Sequence, residues 1–366
     1  MASQPFIYTG QSRDDIPRNI THVRIDPSVK GIGKDAFSAC TQLVHVELCD
    51  GLECIGTRAF SCCTSLESIS IPSSVRVIGP YVFSECMHLM HVELREGLMH
   101  IIEGAFRSCT SLESVSIPST VEIIGLCAFF GCTQLINVEL CDGLECIGDE
   151  AFSGCTSLES ISIPSTVRGI GPCAFNGCTQ LMNVELREGR LEVIGAFAFE
   201  ACSFEHISIP STVKVICENT FCGCTQLMNV ELREGLKRVY DGAFFSCTSL
   251  ESISIPSTVE VIGRWAFRGC THMMNVELRE GLKSISDGAF HSCTSLESIS
   301  IPSTVGDIGP WAFCDCTQLM NVELMEGLRC ILTGVFCGCT SLESISIPST
   351  VGDIYRLAFG DCRHLM

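Results

Sequence analysis

The chain has 366 residues, 46% of them hydrophobic, with 23 Lys and Arg against 42 Asp and Glu, for a formal charge of −19. That charge repels nucleic acid and anionic lipid, so neither is expected as a partner, and a protein partner, including a basic one, is left open. No stretch approaches the ~18 uninterrupted apolar residues of a membrane span, so membrane insertion is not expected.

Residues 1–19 are expected to form an N-terminal cap, with Phe6, Ile7 and Tyr8 covering the apolar edge of a first coil. No basic segment followed by an apolar run occurs there, so no secretory signal is expected. The location expected is cytoplasmic, with an extracellular one as the alternative. From residue 20 to residue 366 the sequence repeats. A cysteine recurs at 40, 63, 86, 109, 132, 155, 178, 202, 224, 247, 270, 293, 316, 339 and 362, at intervals of 23 with one 24 and one 22. A phenylalanine column runs beside it from Phe37 to Phe359. A fixed period of this size marks stacked coils, here about fifteen of them.

Neighbouring coils are of two kinds, "CTSLESISIPSTV" and "CTQLMNVELREGL", so the true unit is 46 residues. Within Leu158 to Ile163, Leu158, Ile161 and Ile163 point one way and Ser160 and Ser162 the other. This is the period-two pattern of a short strand with one buried face. Pro164 ends it, since proline cannot donate to a ladder. The prolines of "IGPCAF" at 170 and "IGPWAF" at 308 predict one helical turn each. Strands of successive coils should pair in parallel at roughly 4.8 Å.

"AFSGCTSLESISIPSTVRGIG" (151 to 171) resembles the BspA-like, or Treponema-type, leucine-rich repeat. Its marks are an A-F pair, C-x-x-L, a strand ending in I-P, and V-x-x-I-G. The resemblance covers about residue 20 to the end. It implies an α/β repeat solenoid, a right-handed superhelix with a concave parallel β-sheet and short turns or helical pieces on the convex side. It also implies binding of other molecules, often at cell surfaces or in host contact. No G-x-S-x-G, H-E-x-x-H or phosphate loop is present, so neither catalysis nor a cofactor is expected.

The outward strand positions should carry the function. One coil kind presents Glu47, Glu93, Glu139, Glu185, Glu231, Glu277 and Glu323, with Asn137, Asn183, Asn229, Asn275 and Asn321 two positions earlier. Arg95, Arg187, Arg233 and Arg279 follow their glutamates on the same face and should partly offset the acid. The face lacks aromatic anchors, which points to weak, multivalent or electrostatic contact. Two readings are open: a solvated face that keeps the solenoid soluble, and a binding surface. The main expectation is a non-catalytic protein-interaction scaffold. The alternatives are a surface adhesion or ligand-recognition protein and a thiol-rich metal binder.

The cysteines of the main column are expected to be buried free thiols, because stacked coils stand wider than a disulfide prefers. Three C-x-C pairs add to the column: Cys222 with Cys224, Cys314 with Cys316, and Cys337 with Cys339. The last two lie one coil apart, so four sulfurs suited to zinc or copper(I) could gather. C-x-C is not the usual structural zinc spacing, so no metal is expected, and Cys314, Cys316, Cys337 and Cys339 are the candidates should one bind. Cys49 with Cys54, and Cys141 with Cys146, flank a D-G turn as surface thiols or a local bridge. His22 and His45 share an outward position near Glu47, as surface histidines or an ion site. The stretch from 187 to 210 holds both irregular intervals and predicts a bulge or kink. At "CRHLM" a strand begins without a following cap, which predicts a missing C-terminal cap and an open edge for self-association.

Overall fold

The computed structural model describes residues 4–365, and the chain divides into two compact units, Met1–Arg187 and Glu188–Met366. The period-two pattern acts alike in both. In strand Ser160–Ile163 the isoleucines are buried and the serines face outward. Residues 160 to 163 pair in parallel with Asn183, Val184, Glu185 and Leu186 of the next coil. In the second unit Ser252–Ile255 pairs in the same register with Asn275–Leu278. A second parallel ladder is made of two-residue strands, such as Val261–Ile262 against Ser284–Ile285. Each unit is a parallel β-solenoid.

The phenylalanines stack inside as expected. Ring centroids are 5.1–5.5 Å apart from Phe37 to Phe175 in the first unit. They are 5.1–5.7 Å apart from Phe199 to Phe359 in the second. Burying each ring is worth roughly 1.5–3 kcal/mol, a gain available only between neighbouring coils. The main cysteine column runs alongside. Cys132 donates its S–H to the Phe106 carbonyl at 3.2 Å, and Cys247 to that of Phe221 at 3.2 Å. All 27 thiols are free.

The helical pieces expected on the outer side are not there. Among the described residues the only helix is a three-residue 3-10 turn, Arg13–Asp15. Each outer segment instead carries two residues in the left-handed region, for example Tyr81 (φ 55°) with Glu85 (φ 62°), and Trp311 (φ 61°) with Asp315 (φ 59°). A left-handed residue cannot propagate a right-handed helix. Alternate N–H groups therefore bond within the coil and to the next one. Arg268 N–H reaches Trp265 C=O at 3.1 Å, whereas Phe267 N–H reaches Ala289 C=O at 2.7 Å and Gly269 N–H reaches His291 C=O at 2.9 Å. Even Pro310 serves this ladder, accepting from Gly288 N–H at 2.9 Å rather than opening a helix. The architecture is β, not α/β.

This polarity leaves the carbonyls of the first coil without a preceding coil to serve them, and arginines take its place. Arg13 donates to Ala36 C=O at 3.3 Å and also to Ser38 C=O, which Arg18 reaches at 3.2 Å. Strand Phe6–Tyr8 pairs in parallel with Val23–Ile25, and the buried Tyr8 ring meets Phe37 edge-on at 5.1 Å.

The irregular stretch resolves into two local changes. Arg190 is an exposed extra residue after Gly189, and one residue is missing after Cys202. Phe204 then occupies the position of Leu227 in the next coil, fully buried, with its ring perpendicular to Phe199 at 5.9 Å and to Phe221 at 6.2 Å. The following strand keeps its register, His206 to Ile209 opposite Asn229 to Leu232.

Candidate binding surface

The two coil kinds meet through two different interfaces. Where "SISI" precedes "NVEL", the serine faces the glutamate across the ladder and donates to it. Ser70 reaches Glu93 at 2.5 Å, Ser208 reaches Glu231 at 2.7 Å and Ser254 reaches Glu277 at 2.6 Å, and Ser162 bonds Glu185 likewise. Where "NVEL" precedes "SISI", strand pairing is thinner, a single register pair at Asn229 and Ser252 or at Asn275 and Ser298. There the "EG" turn grips the "ST" turn of the next coil. Glu280 accepts from the Ser303 N–H and hydroxyl at 3.0 Å and from Thr304 N–H at 3.2 Å, and Gly281 N–H donates to Thr304 Oγ1 at 3.0 Å. Glu96 and Glu326 do the same for Ser119 and Ser349. Gly281 is required: its φ is +115°, and a Cβ there would stand 2.0 Å from the Ser257 carbonyl oxygen.

All the glutamates and asparagines expected on the face are exposed: Glu47, Glu93, Glu139, Glu185, Glu231, Glu277 and Glu323, and Asn137, Asn183, Asn229, Asn275 and Asn321. They are not equivalent. Arg95, Arg233 and Arg279 each bond their glutamate through Nε at 3.1–3.2 Å, and Arg187 stands 3.5 Å from Glu185. The serine hydrogen bond, and then the arginine, hold Glu93, Glu185, Glu231 and Glu277 below the usual carboxylate range. Glu47 is lowered by Arg24 and then by His22, whose Nε2 lies 2.7 Å away. Two positions after Glu139 and Glu323 the sequence has Cys141 and Met325 instead of arginine, and among the described residues neither glutamate has an ion pair, although Glu323 accepts from the Ser300 hydroxyl at 2.9 Å. Around Glu323 the face dips into a shallow open depression lined by Ser298, Ser300, Asn321, Val322, Ser344 and Ser346.

The two C-x-C pairs are split by the fold. Cys316 and Cys339 lie in the buried column and donate to Phe290 and Phe313 carbonyls at 3.2 Å. Cys314 and Cys337 sit two residues earlier, in the outer turns. Among the described residues the cluster of metal-ligating groups at Cys314 is formed with His291 and Asp315, not with Cys316 or Cys339. Cys54 and Cys146 are exposed thiols, while Cys49 and Cys141 are half-buried. His22 and His45 meet edge to face at 5.9 Å.

The clamping glutamates Glu96, Glu280 and Glu326 escaped the sequence reading, although their constant 23-residue offset from a serine was available as a signal. A family model described as the BspA type leucine rich repeat region matches residues 17–136, 100–228, 145–253 and 237–366. The chain belongs to the BspA-type leucine-rich repeat family. Among solved structures, this BspA-type chain is similar to a leucine-rich repeat protein of Bacteroides ovatus, with 27% identity and a TM-score of 0.66 over 83% of this chain and 88% of the other. It is also similar to a leucine rich cell surface protein of Faecalibacterium prausnitzii, with 27% identity and a TM-score of 0.50 over 99% and 88%. No curated protein matches this BspA-type chain. Among its described residues no helix is long and apolar enough to cross a membrane.

Proposed function

We propose that the protein is a non-catalytic protein-interaction scaffold whose strand face takes a basic partner at the glutamates its own arginines leave free. The supporting observation is the contrast between Glu93, Glu185, Glu231 and Glu277, each paired with an arginine of the face, and Glu139 and Glu323, which have no ion pair among the described residues. A lysine or arginine from a partner supplies the missing charge there, and the exposed asparagines and serines around it offer hydrogen bonds. With no aromatic anchor on the strand face of either unit, each contact is weak and electrostatic. Cytoplasmic location belongs to the same reading, because 27 free thiols suit a reducing compartment.

The test is selection of binders from a displayed random-peptide library on the immobilised full chain. Lys- and Arg-rich peptides are expected, with binding lost in the double variant Glu139→Lys, Glu323→Lys. Binding should persist in Glu122→Lys, Asp353→Lys, which makes the same charge change beside the other ladder. Equal capture by both double variants would refute recognition at the strand face.

A second reading, ligand recognition at a cell surface, is favoured by the similarity to the Faecalibacterium surface protein. It expects the protein to react with a membrane-impermeant amine label on intact source cells, which the first reading does not.

A further inference from the structure

The outer turns hold a feature that neither the scaffold nor the strand face uses. One residue after each stacked phenylalanine, successive coils of the second unit place His291, Cys314 and Cys337 in a column, with Asp315 beside it. Elsewhere the same column holds residues such as Phe245 and Arg268, so this is a local departure from the repeat. The backbone fixes the spacing, since Ser292 N–H donates to Cys314 C=O at 2.8 Å and Asp315 N–H to Cys337 C=O at 2.7 Å. Asp315 is held in the left-handed region at φ 59°. One donor atom each from His291, Cys314 and Asp315 lie within 4.8 Å of one another, and His291 Nε2 is 3.9 Å from Asp315 Oδ2.

We propose that His291, Cys314, Asp315 and Cys337 bind one zinc ion. Donors around a tetrahedral zinc stand roughly 3.3–3.8 Å apart, so His291, Cys314 and Asp315 need only small rotations to close on an ion, and Cys337, one coil on and hydrogen-bonded to Cys314, supplies the fourth donor. Two thiolates and an imidazole select zinc over magnesium or calcium, which take oxygen donors. The ligand set takes one sulfur from each of two C-x-C pairs, because the other two are committed to the core. The Arg268 guanidinium lies over the Phe245 ring at 5.8 Å, on the preceding coil's side, and Asp361 flanks Cys337 on the following one.

The experiment uses reduced full-length protein stripped with chelator and titrated with zinc, then with cobalt(II) as a spectroscopic probe. One zinc per chain should survive desalting, and cobalt should show thiolate charge-transfer absorption with the intense visible bands of a tetrahedral site. His291→Gln and Cys314→Ala should each weaken zinc binding more than about 10-fold. Cys222→Ala, in the same column without a neighbouring histidine, should leave it unchanged. His291→Gln alters a partly exposed ring, so it decides the matter even if Cys314→Ala impairs folding. Equal zinc retention by the parent and His291→Gln would overturn the proposal. So would the absence of thiolate–cobalt absorption.

Discussion

In the second unit, the phenylalanine column keeps one residue type from coil to coil, while the column one residue later runs Phe245, Arg268, His291, Cys314 and Cys337. The two are neighbours in sequence and share the same backbone ladder. They differ in surroundings. An interior ring stands between two identical rings at about 5 Å, so any other volume leaves a void or a clash. The outer position has its backbone satisfied coil to coil, and its side chain is partly exposed at Phe245, Arg268, His291 and Cys337, so the residue type can vary. Repetition therefore marks architecture, and departures from repetition mark the places where chemistry can arise.

The largest effect separating the two regions should come from alkaline pH. Burial pushes the main-column thiols up, Cys132, Cys178 and Cys224 to about 12 and Cys109 and Cys247 well above the ordinary range. The folded state then keeps protons that the unfolded state releases. Stability is full below the unfolded thiol value near pH 9 and falls as pH rises toward the folded one. Each such thiol contributes a loss of about 1.4 kcal/mol per pH unit. Urea midpoints should drop steeply between pH 9 and 11, and less steeply in a variant with Cys132, Cys155 and Cys178 changed to alanine. An unchanged slope would mean that these thiols are not buried.

Next in size is the core ring itself. Phe244 lies between Phe221 and Phe267 at 5.1 and 5.2 Å, so Phe244→Ala should cost about 3–5 kcal/mol. Arg268→Ala, in the outer column, should stay within about 0.5 kcal/mol. Urea denaturation followed by circular dichroism measures both, and similar losses would erase the distinction.

Gly281→Ala probes the turn clamp between the two coil kinds. It adds a Cβ 2.0 Å from a carbonyl at φ +115° and should destabilise by about 1–3 kcal/mol. Gly177→Ala, at φ +71° with no atom within 4 Å, should cost less, about 1 kcal/mol. The smallest effect is expected for Glu280→Gln. Ser303 N–H, then its hydroxyl and Thr304, lower the Glu280 carboxylate. Its contribution is present above the ordinary carboxylate value and lost as pH falls through the lowered one. The variant should differ from the parent at pH 7 and converge with it in acid.

Much of the fold was legible because the repeat reports it. The Phe and Cys columns, the period-two strands and the outward Glu and Asn rows follow from spacing alone. The outer turns did not, since proline before a short segment fits a helical turn and a β-turn alike. What decides is the left-handed backbone at residues such as Tyr81 and Trp311, which carry no glycine to announce it. The surface was legible as rows but not as pairs. That Ser254 bonds Glu277 becomes visible only when adjacent coils are laid side by side, whereas Met325 in place of an arginine after Glu323 could be read from the sequence. Which sulfur of each C-x-C pair turns inward was legible, because Cys316 and Cys339 fall in the 23-residue column, but the approach of His291 and Asp315 to Cys314 was not.

Pulsed alkylation of the reduced native protein, read residue by residue by mass spectrometry, tests the stacked interior most directly. Cys54 and Cys146 should label fast, while Cys63, Cys132, Cys155, Cys247 and Cys293 should stay unmodified until denaturant is added. Labelling of those five at the rate of Cys54 would contradict the account.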